Sequence, residues 1–178
     1  MRRSMNRQAL AARIAEVSLL RGDFTLRSGR KSNYYLDKYR FETQGDILQA
    51  LGKLFAEHVT PDVDRIAGAE LGAVPLAAVT AMATGKPCVY VRNQKKDYGT
   101  AKQVEGLLHA GERVLIVEDV LTTGGQVLEA AKVLETLGVT IVKIVAVIDR
   151  EEGARQNIES AGYKFDALFT TTDLGVTK

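Results

Sequence analysis

The sequence predicts one α/β domain over residues 1–178, in which a parallel β-sheet is flanked by helices. Two observations carry this prediction: short apolar segments without polar alternation recur along the chain, and segments with helical spacing of apolar residues follow most of them. Strands that are buried on both faces are apolar throughout, and the alternation of strands with helices builds parallel sheets. A chain of 178 residues is long enough for one sizeable core.

Apolar periodicity sets the order of the elements. Leu10, Ile14 and Val17 mark one face of a first helix, and two short strands are expected around the turn at Gly29. A second helix follows and is expected to stop at Pro61. Beyond it, strands are predicted at residues 65–68, 89–91, 113–117, 142–148 and 167–169, with helices at about 73–84, 127–137 and 154–161.

Composition limits the classes of function. The formal net charge is only +2, and no helix-turn-helix segment or basic helix is apparent, so a nucleic-acid partner is not expected. Cys88 is the single cysteine, which excludes an intrachain disulfide, and the two histidines lack ligand spacing for zinc. No apolar run approaches the roughly 20 residues of a membrane span. We therefore expect a cytoplasmic protein without a membrane partner.

A long polar segment at residues 92–112 interrupts the pattern between two predicted strands. Residues 92–102 contain four basic side chains and one acidic side chain. Long loops without secondary structure are uncommon in compact domains and are often functional lids. A mobile catalytic loop is therefore predicted here; the alternative is a solvated loop without a role, which the excess of cations disfavours.

A candidate ligand site lies at residues 114–126, where a buried strand is expected to end in Glu118 and Asp119 before a turn and a helix. Ligands of open α/β sheets bind beyond the carboxyl ends of the strands. Gly124 and Gly125 allow close approach of the backbone, and a helix N-terminus offers N–H groups to a phosphate. The two acids instead suit adjacent sugar hydroxyls, or Mg²⁺ held through water.

On these residues alone, a plain strand–helix turn with capping threonines and two solvated acids remains an alternative. Two familiar phosphate motifs are absent: the chain has no GxxxxGK[ST] and no GxGxxG after its first strand. The ligand that the segment implies has a phosphate at one end and a diol nearby.

The same segment, VLIVEDVLTTGGQ, resembles the phosphoribosyl pyrophosphate signature of the type I phosphoribosyltransferases. The resemblance implies that Glu118 and Asp119 bind the ribose hydroxyls and that the following turn binds the 5′-phosphate. The turn at residues 68–72 is similar to the family's pyrophosphate loop. Contacts to phosphoribosyl pyrophosphate are then expected from Glu70, Leu71, Val120, Leu121, Thr122, Thr123, Gly124, Gly125 and Gln126.

Three further segments resemble the orotate phosphoribosyltransferases within that family. Residues 24–32 are similar to their N-terminal hood, which would comprise mainly residues 1–40, and residues 91–100 are similar to their catalytic loop. Residues 147–150 are similar to the strand end whose arginine binds orotate. These segments imply orotate contacts from Arg27, Thr122 and Arg150, and contacts to phosphoribosyl pyrophosphate from Arg92, Lys95, Lys96 and Tyr98.

The resemblance also implies a reaction, in which orotate and phosphoribosyl pyrophosphate yield orotidine 5′-phosphate and pyrophosphate in pyrimidine (UMP) biosynthesis. Catalytic roles are expected for Arg92, Lys96 and Asp119. The expected cofactor is Mg²⁺, held mainly through the substrate, with Asp119 reaching it through water. The expected assembly is a homodimer with shared active sites. Asn93 departs from the family, which commonly has lysine there.

Several alternatives stay open at this point. The chain can be a phosphoribosyltransferase for another base, or a regulator that binds phosphoribosyl pyrophosphate without turnover. A receiver-like domain that binds Mg²⁺ through the acids is disfavoured, because the TTGGQ turn has no purpose there. Arg150 fits a surface ion pair with Glu151 or Glu152 nearly as well as an orotate contact, and Lys95 and Lys96 fit solvated loop charge.

Overall fold

The computed structural model of the protein describes residues 5–25, 29, 31–93 and 103–176. Its helices in these ranges are α1 (Arg7–Ser18), α2 (Lys38–Glu42), α3 (Gly45–Ala56), α4 (Glu70–Thr84), α5 (Gly125–Glu135) and α6 (Ala154–Ser160). Its strands there are β1 (Leu19–Thr25), β2 (Lys31–Leu36), β3 (Arg65–Ala69), β4 (Cys88–Val91), β5 (Val104–Glu105), β6 (Arg113–Leu121), β7 (Thr140–Asp149) and β8 (Phe165–Thr170).

The main sheet has six strands in the order β5-β4-β3-β6-β7-β8. The pairs from β4 to β8 are parallel, and β5 pairs antiparallel with β4 at one edge. The predicted parallel sheet with flanking helices is therefore confirmed, with an antiparallel edge strand added. No helix in the described ranges combines the length and the apolar character that crossing a bilayer requires.

Alternate residues of the central strands pack against different layers of helices. In β6, Leu115 and Val117 join an apolar cluster with residues of α1, α3 and α4. Val114 and Ile116 of the same strand join a second cluster with residues of α5 and α6. Because both faces are covered, the strand is apolar at every one of these positions, as the sequence indicated.

The N-terminal region contributes both to the core and to a separate small sheet. Leu10 and Ile14 of α1 are buried in the same cluster as α3. β1 and β2 form a two-stranded antiparallel sheet with Leu19 opposite Leu36 and Thr25 opposite Lys31. The two strands predicted around Gly29 are confirmed.

Several element boundaries differ from the prediction. The second long helix, α3, ends at Ala56 rather than near Pro61, because the three N–H groups that follow it bond to carbonyls three residues back instead of four. β6 continues to Leu121, so the two acids lie inside the strand. The polar segment at 92–112 is not wholly irregular, since β5 pairs with β4 within it. The five-residue helix α2 is too short for periodicity to reveal.

Candidate active site

The carboxyl ends of the parallel strands bring the predicted site residues to one edge of the sheet. Ala69 lies opposite Val91 in the β3–β4 pair, and Leu121 lies opposite Asp149 in the β6–β7 pair. The residues that follow these strand ends are therefore neighbours. They are Glu70 and Leu71, Arg92, Thr122 and Arg150, which the sequence had placed in four separate segments.

The turn between β6 and α5 is open to an anion. Gly124 occupies the N-cap of α5 with a φ of 80°, a left-handed conformation that favours glycine. Within the described ranges no side chain caps this helix, and both Thr122 and Thr123 are exposed. The interpretation of the threonines as helix caps is therefore wrong. Asn157 Nδ2 donates to the carbonyl of Thr123 at 2.8 Å and fixes the turn from α6.

The two acids beside this turn are buried rather than solvated. Glu118 is 6% exposed and Asp119 is 2% exposed, which excludes the alternative of two solvated carboxylates. Glu118 Oε1 accepts a hydrogen bond from Asp119 N at 3.0 Å, and Asp119 Oδ1 accepts one from Val120 N. Burial, followed by the charge of Asp119, raises the pKa of Glu118 well above its ordinary value.

Three further residues lie beside the acid pair, and the sequence motifs did not reveal them. Lys38 Nζ lies 2.5 Å from Asp119 Oδ2, and Gly72 of α4 packs against this pair. Glu42, one turn after Lys38 on α2, is 4% exposed, and burial with the charge of Asp119 raises its pKa to about 8. The spacing of four residues between Lys38 and Glu42 is typical of two side chains on one helical face. It gives no information about a partner on β6.

Asn93 joins three parts of the site. Its backbone N–H donates to Glu70 Oε1, and its Oδ1 accepts from Gln126 Nε2 at 3.3 Å. Its carbonyl accepts from Gln103 Nε2 at 3.4 Å, and the neighbouring Arg92 N donates to the carbonyl of Gln103 at 2.9 Å. The residue thus links the start of α4 and the start of α5 to Gln103, which lies within the predicted loop.

A cavity of about 600 Å³ lies beside this junction. Its lining includes Glu70, Leu71, Arg92 and Asn93. The Arg92 side chain is about half exposed, and its Nη1 lies 3.8 Å from Glu105 Oε1 on the edge strand. A larger groove of about 690 Å³ runs between α1 and α3, and its described lining includes none of the predicted site residues.

Arg150 connects the main sheet to the N-terminal strands. Its Nη2 donates to the hydroxyl of Tyr34 on β2 at 3.2 Å, and its guanidinium carbon lies 5.7 Å from the centre of the Tyr34 ring. Its Nε lies 3.0 Å from Glu152 Oε1, so the ion pair considered from the sequence is present. The other acid, Glu151, instead accepts from the hydroxyls of Thr171 and Thr172.

Four predicted contact residues, Arg27, Lys95, Lys96 and Tyr98, lie outside the described residues. The structure brings the others together: Glu70, Leu71, Arg92, Arg150 and the stretch 118–126 line one edge of the sheet. Within the described ranges, no group of three or more His, Cys, Asp or Glu side chains is arranged to hold a metal ion. The ammonium group of Lys38 already lies at Asp119 Oδ2, which disfavours direct binding of a metal ion by that oxygen.

Comparison with known proteins agrees with this arrangement. The family model for the phosphoribosyl transferase domain matches residues 40–167. The orotate phosphoribosyltransferase of Thermococcus gammatolerans is 48% identical over 160 residues, which cover 88% of this chain and 85% of that protein. That of Pyrococcus horikoshii is 47% identical over 156 residues, 86% of this chain and 84% of the relative.

Solved structures of orotate phosphoribosyltransferases are also similar to this chain over most of its length. A crystal structure of Mycobacterium tuberculosis orotate phosphoribosyltransferase in complex with Fe(III) dicitrate is similar with a TM-score of 0.87, at 33% identity, over 96% of this chain and 99% of that one. The same enzyme in complex with 5-phospho-α-D-ribosyl 1-diphosphate is similar with a TM-score of 0.82, over 96% and 99% of the two chains at 33% identity. The chain therefore belongs to the phosphoribosyltransferase family and, within it, to the orotate phosphoribosyltransferases.

Proposed function

We propose that this protein transfers the phosphoribosyl group of phosphoribosyl pyrophosphate to orotate, giving orotidine 5′-phosphate and pyrophosphate for pyrimidine nucleotide synthesis. One observation carries the proposal: a buried acid pair directly precedes an exposed, uncapped turn at a helix N-terminus. Glu118 and Asp119 are suited to the ribose diol, and the turn from Thr122 to Gln126 is suited to the 5′-phosphate. A ligand with both groups matches this pair of subsites.

The reaction breaks the bond between C1 of the ribose and pyrophosphate while a bond from C1 to the base forms. Positive charge develops on the sugar and negative charge on the leaving group, so electrostatic stabilisation and positioning supply most of the acceleration. Arg92 lies beside the cavity at the ends of β3 and β4, where it can meet the leaving group. By resemblance, Lys95, Lys96 and Tyr98 contribute to the same subsite.

Arg150 is the proposed orotate ligand. Orotate is a planar anion, and a guanidinium group can bind its carboxylate through two parallel hydrogen bonds. The contact with Tyr34 places Arg150 between the main sheet and the N-terminal strands. Thr122, exposed at the end of β6, and Arg27 are the other proposed orotate contacts.

Mg²⁺ is the proposed cofactor, since a divalent cation bound to pyrophosphate neutralises charge on the leaving group. Asp119 would reach the ion through water. We further propose a homodimer with shared active sites. The proposed compartment is the cytoplasm.

The test is to incubate the protein with Mg²⁺, phosphoribosyl pyrophosphate and, one at a time, orotate, uracil and the purine bases, and to measure nucleotide and pyrophosphate. We expect orotidine 5′-phosphate from orotate, and little product from the other bases. The matched control is Asp119→Asn, which should fold normally and lose most turnover. Product from a purine but not from orotate would overturn the assignment of the base, and no product from any base would favour a binding protein without turnover.

A further inference from the structure

Lys38 lies at the acid pair although no motif singled it out. It is the first residue of α2, and its Nζ is 2.5 Å from Asp119 Oδ2, a residue 81 positions away. The Lys38 side chain is 34% exposed, whereas that of Asp119 is 3% exposed. A carboxylate buried to this extent is costly to keep ionised unless a cation or hydrogen bonds compensate it. Lys38 supplies such a cation.

Gly72 provides the space for this ion pair. A Cβ atom at position 72 would overlap Asp119 Oδ2 and would lie 3.1 Å from Lys38 Nζ. The backbone of Gly72 does not have a positive φ, so its conformation does not require glycine. Glycine within a helix costs about 1 kcal/mol relative to alanine. The contact with the ion pair therefore explains why glycine occupies the first turn of α4.

The Asp119 carboxylate is held at both oxygens before any ligand arrives. Val120 N donates to Oδ1, and Lys38 Nζ donates to Oδ2. Each carboxylate oxygen has two lone pairs, so capacity remains for a sugar hydroxyl. A group that is already oriented costs no reorganisation when charge develops nearby. The Val120 bond comes from the same strand, whereas the Lys38 bond joins Asp119 to another element, α2.

We propose that Lys38 is a positioning residue of the ribose subsite, where its ammonium group orients the Asp119 carboxylate toward the sugar diol and Gly72 leaves room for the pair. The identity of the sugar ligand rests on the proposed function. Lys38 acts through Asp119, so its removal should affect ligands that carry the diol and spare a ligand that carries phosphate alone.

The first experiment measures the binding of ribose 5-phosphate and of inorganic phosphate by calorimetry. Lys38→Met, which keeps the length of the side chain without its charge, should weaken ribose 5-phosphate about tenfold and leave phosphate unchanged. Lys38→Arg should recover most of that loss. The matched control is Lys143→Met, because Lys143 is also a partly buried lysine in an ion pair, with Asp166, near the start of β7.

A double-mutant cycle tests whether Lys38 acts through Asp119. The loss of ribose 5-phosphate affinity in Lys38→Met combined with Asp119→Asn should not exceed that in Asp119→Asn alone, because the two residues form one unit. In steady-state assays, Lys38→Met should raise the KM for phosphoribosyl pyrophosphate and lower kcat, while the KM for orotate stays near its wild-type value. Gly72→Ala, which leaves Lys38 in place, should cause the same diol-selective loss and provides a second variant.

Two results would overturn the proposal. Equal weakening of phosphate and ribose 5-phosphate would make Lys38 a phosphate ligand, and additive losses in the double variant would make it independent of Asp119. Binding is measured without turnover, so this test is separate from that of the proposed function. A wild-type protein that binds ribose 5-phosphate but does not convert orotate contradicts the function and leaves the role of Lys38 measurable.

Discussion

The side chain of Arg150 lies between an acid of its own loop and an aromatic ring of the N-terminal sheet. Its Nε is 3.0 Å from Glu152 Oε1, and its Nη2 is 3.2 Å from the Tyr34 hydroxyl. From the sequence, an ion pair and an orotate contact were alternatives. They are compatible, because a guanidinium group has five N–H donors in a fixed fork and can serve more than one partner.

At the residue scale, Arg150→Ala should raise the KM for orotate far more than that for phosphoribosyl pyrophosphate. A charged hydrogen bond contributes roughly 1.5–3 kcal/mol, which corresponds to about tenfold or more in affinity. Steady-state kinetics with each substrate varied in turn measures the effect. Arg155→Ala is the control, since Arg155 is half exposed and pairs with Glu159 on the same helix. Equal effects on both substrates would assign Arg150 a structural role.

At the scale of elements, the start of the predicted loop and residues within it are joined to the sheet edge. Arg92 N bonds to the carbonyl of Gln103, β5 pairs with β4, and Asn93 reaches both Glu70 and Gln126. A side chain at position 93 therefore lies between the proposed pyrophosphate and 5′-phosphate subsites. The residue at position 93 is therefore expected to affect how well the site neutralises the charge of the leaving pyrophosphate.

Asn93→Lys should raise kcat/KM for phosphoribosyl pyrophosphate several-fold. The new ammonium group adds positive charge where negative charge develops in the transition state, while the backbone bond to Glu70 is retained. Asn93→Gln, which keeps a neutral amide, is the control and should not increase activity. A lysine variant no faster than wild type would mean that Asn93 serves mainly to hold Gln126, and that the site already neutralises its leaving group.

The opposite ends of β3 and β6 are joined by a different ion pair. Arg65 donates to both carboxylate oxygens of Glu112, at 2.7 and 2.5 Å, and these hydrogen bonds lower the pKa of Glu112 to about 2. The folded protein therefore binds this proton less tightly than the unfolded chain. The stabilisation of the folded protein by the Arg65–Glu112 pair is complete above the ordinary glutamate pKa of 4.5, and it is lost as the pH falls toward 2.

Glu112→Gln should accordingly lower the free energy of unfolding by about 2 kcal/mol at pH 7, because it leaves the buried Arg65 without its charged partner. The difference from wild type should shrink as the pH is lowered below 4.5. Urea denaturation across this pH range is the measurement. Asp62→Asn, which breaks the exposed pair with Arg113, should cost less than about 1 kcal/mol. Equal losses of unfolding free energy in Glu112→Gln and Asp62→Asn would contradict the inference that burial makes the Arg65–Glu112 pair the more stabilising one.

At the scale of the whole molecule, the proposed dimer makes a distinct prediction. If Lys96 of one subunit serves the site that contains Asp119 of the other, mixing Lys96→Ala with Asp119→Asn should restore activity after subunit exchange. The ceiling is about a quarter of wild-type activity, since half of the dimers are hybrids and each has one intact site. Lys96→Ala alone should lose turnover with little change in binding, as expected for a contact made mainly in the transition state.

The control for this experiment is a demonstration that subunits exchange, for example with differently tagged chains. A mixture that stays inactive while hybrid dimers form would show that each site is built within one subunit. Sedimentation of the wild-type protein as a monomer would refute shared sites before any mixing.

Much of the fold and part of the site could be predicted from the sequence, because these features depend on residues close together in the chain. The apolar runs of β3, β6 and β7 reflect burial on both faces, and the segment 114–126 contains the acid pair, the turn and the helix start in succession. The family resemblance implied that Glu70, Thr122 and Arg150 belong to one site, and the parallel strands do bring the three residues to one edge of the sheet.

Tertiary structure alone decided which distant side chains meet at that edge. Lys38 and Gly72 reach Asp119 from helices that precede it by 81 and 47 positions, and Asn93 meets Gln126 across 33. Periodicity reports which face of an element is buried, but it carries no information about the partner on that face. The acids and the phosphate turn could therefore be predicted from the sequence, whereas the position of the cation beside Asp119 depends on how α2 and α4 pack over β6.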